Sequence, residues 1–277
     1  MVKKIGRLSR NEKNEIYEEI HDFIDQFKKS NKTAEKKLNK LVNCPNYFGR
    51  EFIASYLAKS PIANKLKSVM KKLLDSKEYP VRATALFFFY NYYASQPEKM
   101  IDIVSEYFDS IKWEAENIID IFWKSNQKLM KKNMLKWIES PDERKRSLSF
   151  HGLENLCYHD PQFVLEFIEK IIDDESIEVQ KKITHTIIQV ARVKPAIVYP
   201  YIREWLVDAD EKRQKTIWVS MTKLVNSLHG LGAKERSKDF VMLTKETIKN
   251  WKFEKNRKIS KMGSQLSELL YSKKKYR

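Results

Sequence analysis

One helical stretch, Trp113 to Trp123, places side chains capable of chemistry on a single face. Its apolar positions Ala115, Ile118, Ile119 and Phe122 define a core stripe. At about 100° per residue, Trp113, Asn117, Asp120 and Lys124 fall on the opposite side. An indole outside the core can stack on a flat ligand or present a CH–π surface, and the carboxylate beside it can hold a negative charge near that ligand. Packing against a neighbouring helix is the commoner fate of a helical tryptophan.

A later stretch repeats the pattern. Ile183, Ile187 and Val190 form a core stripe, so His185 lies opposite it, flanked by Lys181 and Arg192. A series of basic residues also recurs near helix starts: Arg50, Arg82, Arg146, Lys181 and Arg213. Between Arg82 and Arg146 the slot is held by Glu114 and Ala115. Two readings compete. Each base can pair with a carboxylate of the preceding turn (Asp75, Asp142, Asp173, Asp208), or the series can form a basic stripe that tracks phosphates. Arg82 falls with Leu86 and Phe89, and Arg146 with Phe150 and Leu153, on apolar stripes, which favours a structural role for these two. Other chemistry finds no pattern here: there is no glycine-rich phosphate loop, no HExxH, no cysteine pair at metal spacing and no nucleophile elbow. His151 and His159 are too far apart for a local metal clamp. No metal or other cofactor is expected.

The elements that position these residues recur. An acidic-polar turn (75–78, 140–143, 173–176, 208–211) precedes an apolar helix, then a break that often carries proline (Pro97, Pro161, Pro195), then a second apolar helix. Two helices in a period of roughly 30–36 residues are the signature of an α-solenoid. The expected fold is therefore all-α, a superhelix of HEAT-like two-helix repeats with a concave groove. The spacing predicts a helical cap over 1–44, about six repeats over 45–228, and C-terminal helices with a basic tail over 229–277, all in one continuous domain. In the cap, 11–29 reads as an amphipathic helix and 33–42 as its partner. The repeats begin near 45, 78, 111, 141, 174 and 210. A glycine-bearing break at 228–232 ends the array, and a helix follows from about 234 to 251.

Composition agrees. Only 6 Gly and 8 Pro among 277 residues argue against long β-ribbons, while 42% hydrophobic and 32% charged residues suit packed, amphipathic helices. A formal net charge of +16 fits a polyanionic partner, DNA first and an acidic protein second. Cys44 and Cys157 stand apart, residues 1–10 lack the apolar stretch of a signal peptide, and no run approaches 18 apolar residues. The expectation is a cytoplasmic monomer with no membrane partner.

The repeats, together with the segments KWEAEN at 112–117, KWIES-PDERKRS at 136–147 and VQKKI…KPAIVYPYI across 179–202, resemble the bacterial DNA alkylation repair glycosylases built of HEAT-like repeats. The resemblance is strongest from about Val81 to Trp205 and has no clear counterpart in 1–45. It implies duplex DNA bound in a basic concave groove and hydrolysis of the N-glycosidic bond of alkylated purines. It further implies that Trp113 matches the family's tryptophan and Arg146 its groove arginine. The family's catalytic aspartate falls at Asn117, and its second groove tryptophan falls near His185. An amide carries no negative charge, so this exchange costs several kcal/mol of transition-state stabilisation. Asp120, Glu116 and Glu114 are the nearby carboxylates that could compensate, with Asp120 on the matching face but one turn displaced. The resemblance thus points to a binder of duplex or damaged DNA. A scaffold for an acidic protein is the alternative.

Overall fold

The computed structural model describes residues 5–29, 33–229 and 237–272. The glycines of the 228–232 break and the tail at 273–277 lie outside the described residues. The described residues form sixteen α-helices and no strand, and no helix is long and apolar enough to cross a membrane. The chain forms two compact units, Met1–Leu129 and Met130–Arg277.

The first unit contains α1 (Arg10–Lys28), α2 (Thr33–Val42), α3 (Tyr47–Lys59), α4 (Ala63–Leu73), α5 (Tyr79–Tyr92), α6 (Pro97–Tyr107) and α7 (Lys112–Ser125). Ser9 starts α1 with a reciprocal capping box to Glu12, and Ile16, Ile20, Phe23 and Ile24 form its buried stripe. Each first helix of a repeat packs on the next: α1 on α3, α3 on α5, α5 on α7. This next-but-one stacking is that of a solenoid. Helix α5 also touches α2, α4 and α6. Covered on most sides, it carries the unbroken buried run from Ala83 to Phe89. Fully burying Phe87 and Phe88 contributes roughly 1.5–3 kcal/mol each.

Helix α8 (Gln127–Ile138) spans the boundary. The second unit continues with α9 (Glu143–Leu148), α10 (Leu156–His159), α11 (Pro161–Ile171), α12 (Ile177–Val193), α13 (Pro195–Val207), α14 (Glu211–Ser227), α15 (Lys238–Lys252) and α16 (Arg257–Ser272). Two stacked series run through it, α11 on α13 on α15 and α12 on α14 on α16. The C-terminal helices thus continue the two-layer stacking beyond 228. Pro97, Pro161 and Pro195 each sit at the first position of a helix, where the missing N–H leaves no bond unmade.

Repeat four departs from the expected single helix through Arg146, Phe150 and Leu153. Helix α9 stops at Leu148, and Gly152 takes φ +83°, a conformation that glycine adopts without steric cost. Phe150 and Leu153 are still buried, so the apolar pattern survives the break.

The basic series has a different partner from the one expected. Arg50 donates through Nη1 to the carbonyls of Cys44 and Pro45 at 3.3 and 3.1 Å. Arg82 does the same to Ser76 and Lys77 at 2.7 and 2.9 Å, and Arg146 to Ser140 and Pro141, both at 3.0 Å. In every case the acceptors lie six and five residues back. Backbone carbonyls of the preceding turn, rather than its carboxylates, fill the role, because the chain leaving a helix presents carbonyls with no intrahelical donor. The remaining donors reach onward: Arg82 Nη2 to the Ser110 carbonyl at 3.2 Å, and Arg146 to both carboxylate oxygens of Asp174 at 2.6 and 3.3 Å.

In the last two repeats the slot belongs to glutamines. Gln180 donates to the carbonyls of Ile172 and Asp174, and Gln214 to that of Ala209. Lys181 and Arg213 are each one residue out of register. Lys181 pairs with Glu178 at the surface, and Arg213 pairs with the Asp173 carboxylate of the repeat before. The true series is therefore 50, 82, 114, 146, 180 and 214, at intervals of 32, 32, 32, 34 and 34 residues.

Charged hydrogen bonds of this kind contribute about 1.5–3 kcal/mol each. Replacing Arg82 with Met is expected to lower unfolding free energy by about 2 kcal/mol in a urea titration. The exposed control Lys65→Met should change it by less than about 0.5 kcal/mol.

Candidate functional site

The N-terminal ends of α3, α5 and α7 converge in the first unit. Tyr47 and Tyr79 are the first residues of α3 and α5, 32 positions apart, and Trp113 is the second residue of α7. Local sequence sets each start. Asn46 caps α3 by accepting from the Gly49 N–H at 3.0 Å, and Pro80 sits in the first turn of α5.

Beneath these ends lies a buried ionic cluster. Arg50 Nη2 donates to Glu114 Oε1 at 2.5 Å, and Tyr79 donates its hydroxyl to Glu114 Oε2 at 2.6 Å. Glu114 is fully buried, and Arg50 is nearly so. The guanidinium carbon stands 5.8 Å from the Tyr47 ring centroid and 6.0 Å from that of Tyr79, so two aromatic faces flank the cation. Burial, with the nearby carboxylates Glu51 and Glu114, pushes the Tyr47 hydroxyl up to about 12. Burial and the bond to Glu114 push Tyr79 higher still. Both phenols therefore stay protonated at neutral pH; Tyr79 donates to Glu114, and Tyr47 accepts from Asn117.

Above the cluster opens a cavity of about 630 Å³, walled by Tyr47, Phe48, Tyr79, Pro80, Trp113 and the Arg50–Glu114 pair. Trp113 is 77% exposed, the most open aromatic side chain among the described residues, with Phe253 next at 75%. It stands outside the core, opposite the buried Ala115, Ile118, Ile119 and Phe122, as the helical spacing predicted. Asn117 is half-buried, and its Nδ2 donates to the Tyr47 hydroxyl oxygen at 2.8 Å. Asp120 is half-buried three residues further along α7. Of the three carboxylates near Trp113, Glu116 lies 3.9 Å from Lys112, and Glu114 is the one that the cavity reaches.

In the second unit, Arg146 spends Nε, Nη1 and Nη2 on Asp174 and the two turn carbonyls. The contact with Asp174 raises its already high pKa. Lys181 lines a cleft of about 290 Å³ with Lys212, Lys215, Lys223, Glu175, Gln180 and Thr184, so four lysines line it along α12 and α14. His185 is exposed, one turn beyond Lys181, with Nε2 at 2.7 Å from Glu154 Oε1. Arg192 is half-buried in the last turn of α12, where a cation is favoured by the helix dipole.

Several contributors escaped the sequence reading. Tyr47 and Tyr79 were not singled out, although their spacing of one repeat was visible. Lys212, Lys215 and Lys223 were missed because they come from the next repeat, and only stacking brings them beside Lys181.

Stacked helical repeats, with an exposed tryptophan beside an aromatic cavity and a separate lysine-lined cleft, define an α-solenoid. The particular kinship is closer: the family model described as DNA alkylation repair enzyme matches residues 43–221, well over half the chain, and the protein belongs to that family. No curated protein matches. Among solved structures, an engineered protein is 14% identical, with 91% of this chain and 68% of that chain covered and a TM-score of 0.32. A designed armadillo repeat protein is 15% identical, covering 84% and 98%, with a TM-score of 0.27. Scores this low add nothing to the helix packing described above.

The buried pair makes a sharp prediction. Breaking it on one side, by Arg50→Met or Glu114→Leu, leaves an uncompensated charge and should cost about 3–5 kcal/mol in chemical denaturation. The double variant should recover most of that loss.

Proposed function

We propose that this protein, a DNA-repair-type member of its family, binds duplex or damaged DNA and acts by binding rather than by releasing alkylated bases. The observation that carries the reading is the α7 face: an open indole beside an aromatic cavity, with the position four residues on occupied by an amide. Asn117 holds no charge and is tied to Tyr47. Glu114 is buried, and Arg50 and Tyr79 take both of its oxygens, so it offers little field to an oxocarbenium-like sugar. The lysine cleft along α12 and α14 supplies cations for backbone phosphates, and the charge of +16 supports a polyanionic partner. Lys181 is the predicted DNA contact that this cleft favours most. His185 and Arg192 extend the same helix face. Arg146 contributes by holding the 140–141 turn and Asp174 in place.

Binding is tested by fluorescence anisotropy of a labelled duplex across salt concentrations. Affinity should fall steeply, with a log–log slope of about −0.9 per phosphate neutralised. The double substitution Lys181→Ala, Lys215→Ala should make the slope shallower by roughly two such contacts. Absence of binding at low salt would falsify the reading.

Catalysis is tested by incubating the protein with alkylated DNA and measuring free base. Wild type should release little, and Asn117→Asp should raise release if α7 carries the reacting face. If wild type already releases base and Asp120→Asn abolishes it, the working carboxylate is Asp120 and the binding-only reading is wrong.

A further inference from the structure

We propose that the space between α4 and α6 is a further binding site, for a small phosphate monoester that carries hydroxyl groups, of the sugar phosphate class. It shares no lining residue with the cavity beside Trp113 and owes nothing to the DNA-binding reading.

The stacking of helices creates the space. In the second unit α11, α13 and α15 pack directly on one another. In the first unit α4 and α6 are the corresponding second helices, yet each rests on α5 and they scarcely touch each other. A cavity of about 550 Å³ is left between them, over the buried Leu74, Phe89 and Tyr93. That volume falls within the roughly 300–1,000 Å³ typical of sites for small organic ligands.

One end of the cavity is cationic. Lys67 of α4 stands 5.6 Å from the Tyr93 ring centroid, and Lys99 of α6 stands 5.7 Å from the same centroid. Two ammonium groups thus meet over one ring, and among the described residues neither makes an ion pair. A ring face at an exposed site holds a cation less strongly than a charge-assisted hydrogen bond does, so an arriving anion can draw both lysines to itself. Asn64 lines the same end. Its Oδ1 accepts from the Tyr92 hydroxyl at 2.6 Å, so what it has left to offer is N–H.

The other end is acidic. Asp102 and Glu106 follow Lys99 on one face of α6, about a turn apart, and both line the cavity. Carboxylates repel a second anion and accept from hydroxyl groups. Lys71 of α4 lines the cavity too, one turn beyond Lys67, and disfavours an amine beside the carboxylates. The two ends together select a phosphate, seated on Lys67 and Lys99, that is joined to neutral donors reaching Asp102 and Glu106. Attraction at one end and repulsion at the other separate such an ester from free phosphate.

The test is isothermal titration calorimetry of the full chain at low salt with three probes: glucose 6-phosphate, glucose and inorganic phosphate. Glucose 6-phosphate should bind about tenfold more tightly than inorganic phosphate, and glucose should give no binding heat. Lys67→Ala and Lys99→Ala should each weaken glucose 6-phosphate by about tenfold, while the control Lys65→Ala leaves it unchanged. The double substitution Asp102→Ala, Glu106→Ala should tighten inorganic phosphate and erase the preference for the ester. All of these side chains are exposed, so the fold is expected to survive their loss. No binding of glucose 6-phosphate at millimolar concentration overturns the proposal. Binding that survives both lysine substitutions overturns it as well, as does binding abolished by Lys181→Ala, Lys215→Ala, which places the ligand in the α12–α14 cleft. Equal affinity of the wild type for ester and inorganic phosphate overturns the role of Asp102 and Glu106 and with it the sugar phosphate class.

Discussion

The buried pair of Arg50 and Glu114 is the interaction on which the candidate site depends. It joins the first turn of α3 to the first turn of α7 across 64 residues of sequence. Helix α5 lies between them in the stack and contributes Tyr79 to the same carboxylate. Three repeats are thereby tied at one end. A buried ion pair is costly to form and costlier to leave half-made, so it specifies one arrangement of these helix ends. Trp113 directly precedes Glu114. Fixing the carboxylate below therefore fixes where the indole stands above, and the aromatic cavity follows from both.

The same slot explains how a repeat protein acquires an exceptional site. At positions 50, 82 and 146 an arginine grips the two carbonyls behind it and uses its free edge to reach another repeat. At 180 and 214 a glutamine keeps the carbonyl contact without the charge. Only at 114 does the slot reverse sign. A carboxylate cannot donate to carbonyls, so it accepts instead, from the Nη2 that Arg50 leaves free of its own turn. The break in the pattern and the location of Trp113 are thus one feature: the repeat that abandons the common clamp is the repeat that carries the exposed ring.

Much of this was legible in the chain, and the reason is local periodicity. Helix content, the two-helix repeat, the proline positions and the exposed face of α7 all follow from residue spacing within one or two turns of helix. The helices expected over 11–29 and 33–42 appear as α1 and α2. Errors arose where spacing within a helix was silent. Gly152 ends α9 by adopting a left-handed conformation that an apolar stripe does not reveal. Assigning Lys181 and Arg213 to the arginine series was off by one residue, because charge was followed when carbonyl geometry was the constraint.

The sequence by itself determined an all-helical repeat fold, its register, and a tryptophan that has no place in the core. These are consequences of the 3.6-residue helical period and need no knowledge of neighbours. Tertiary structure alone decided which charges meet. Arg50 finds Glu114 and not a carboxylate of its own turn, and Lys181 gathers with lysines of the next repeat. Tyr47 and Tyr79 become walls of a cavity rather than core residues. Each of these pairings spans tens of residues, and only the stacking of one repeat on another brings such distant atoms within bonding distance.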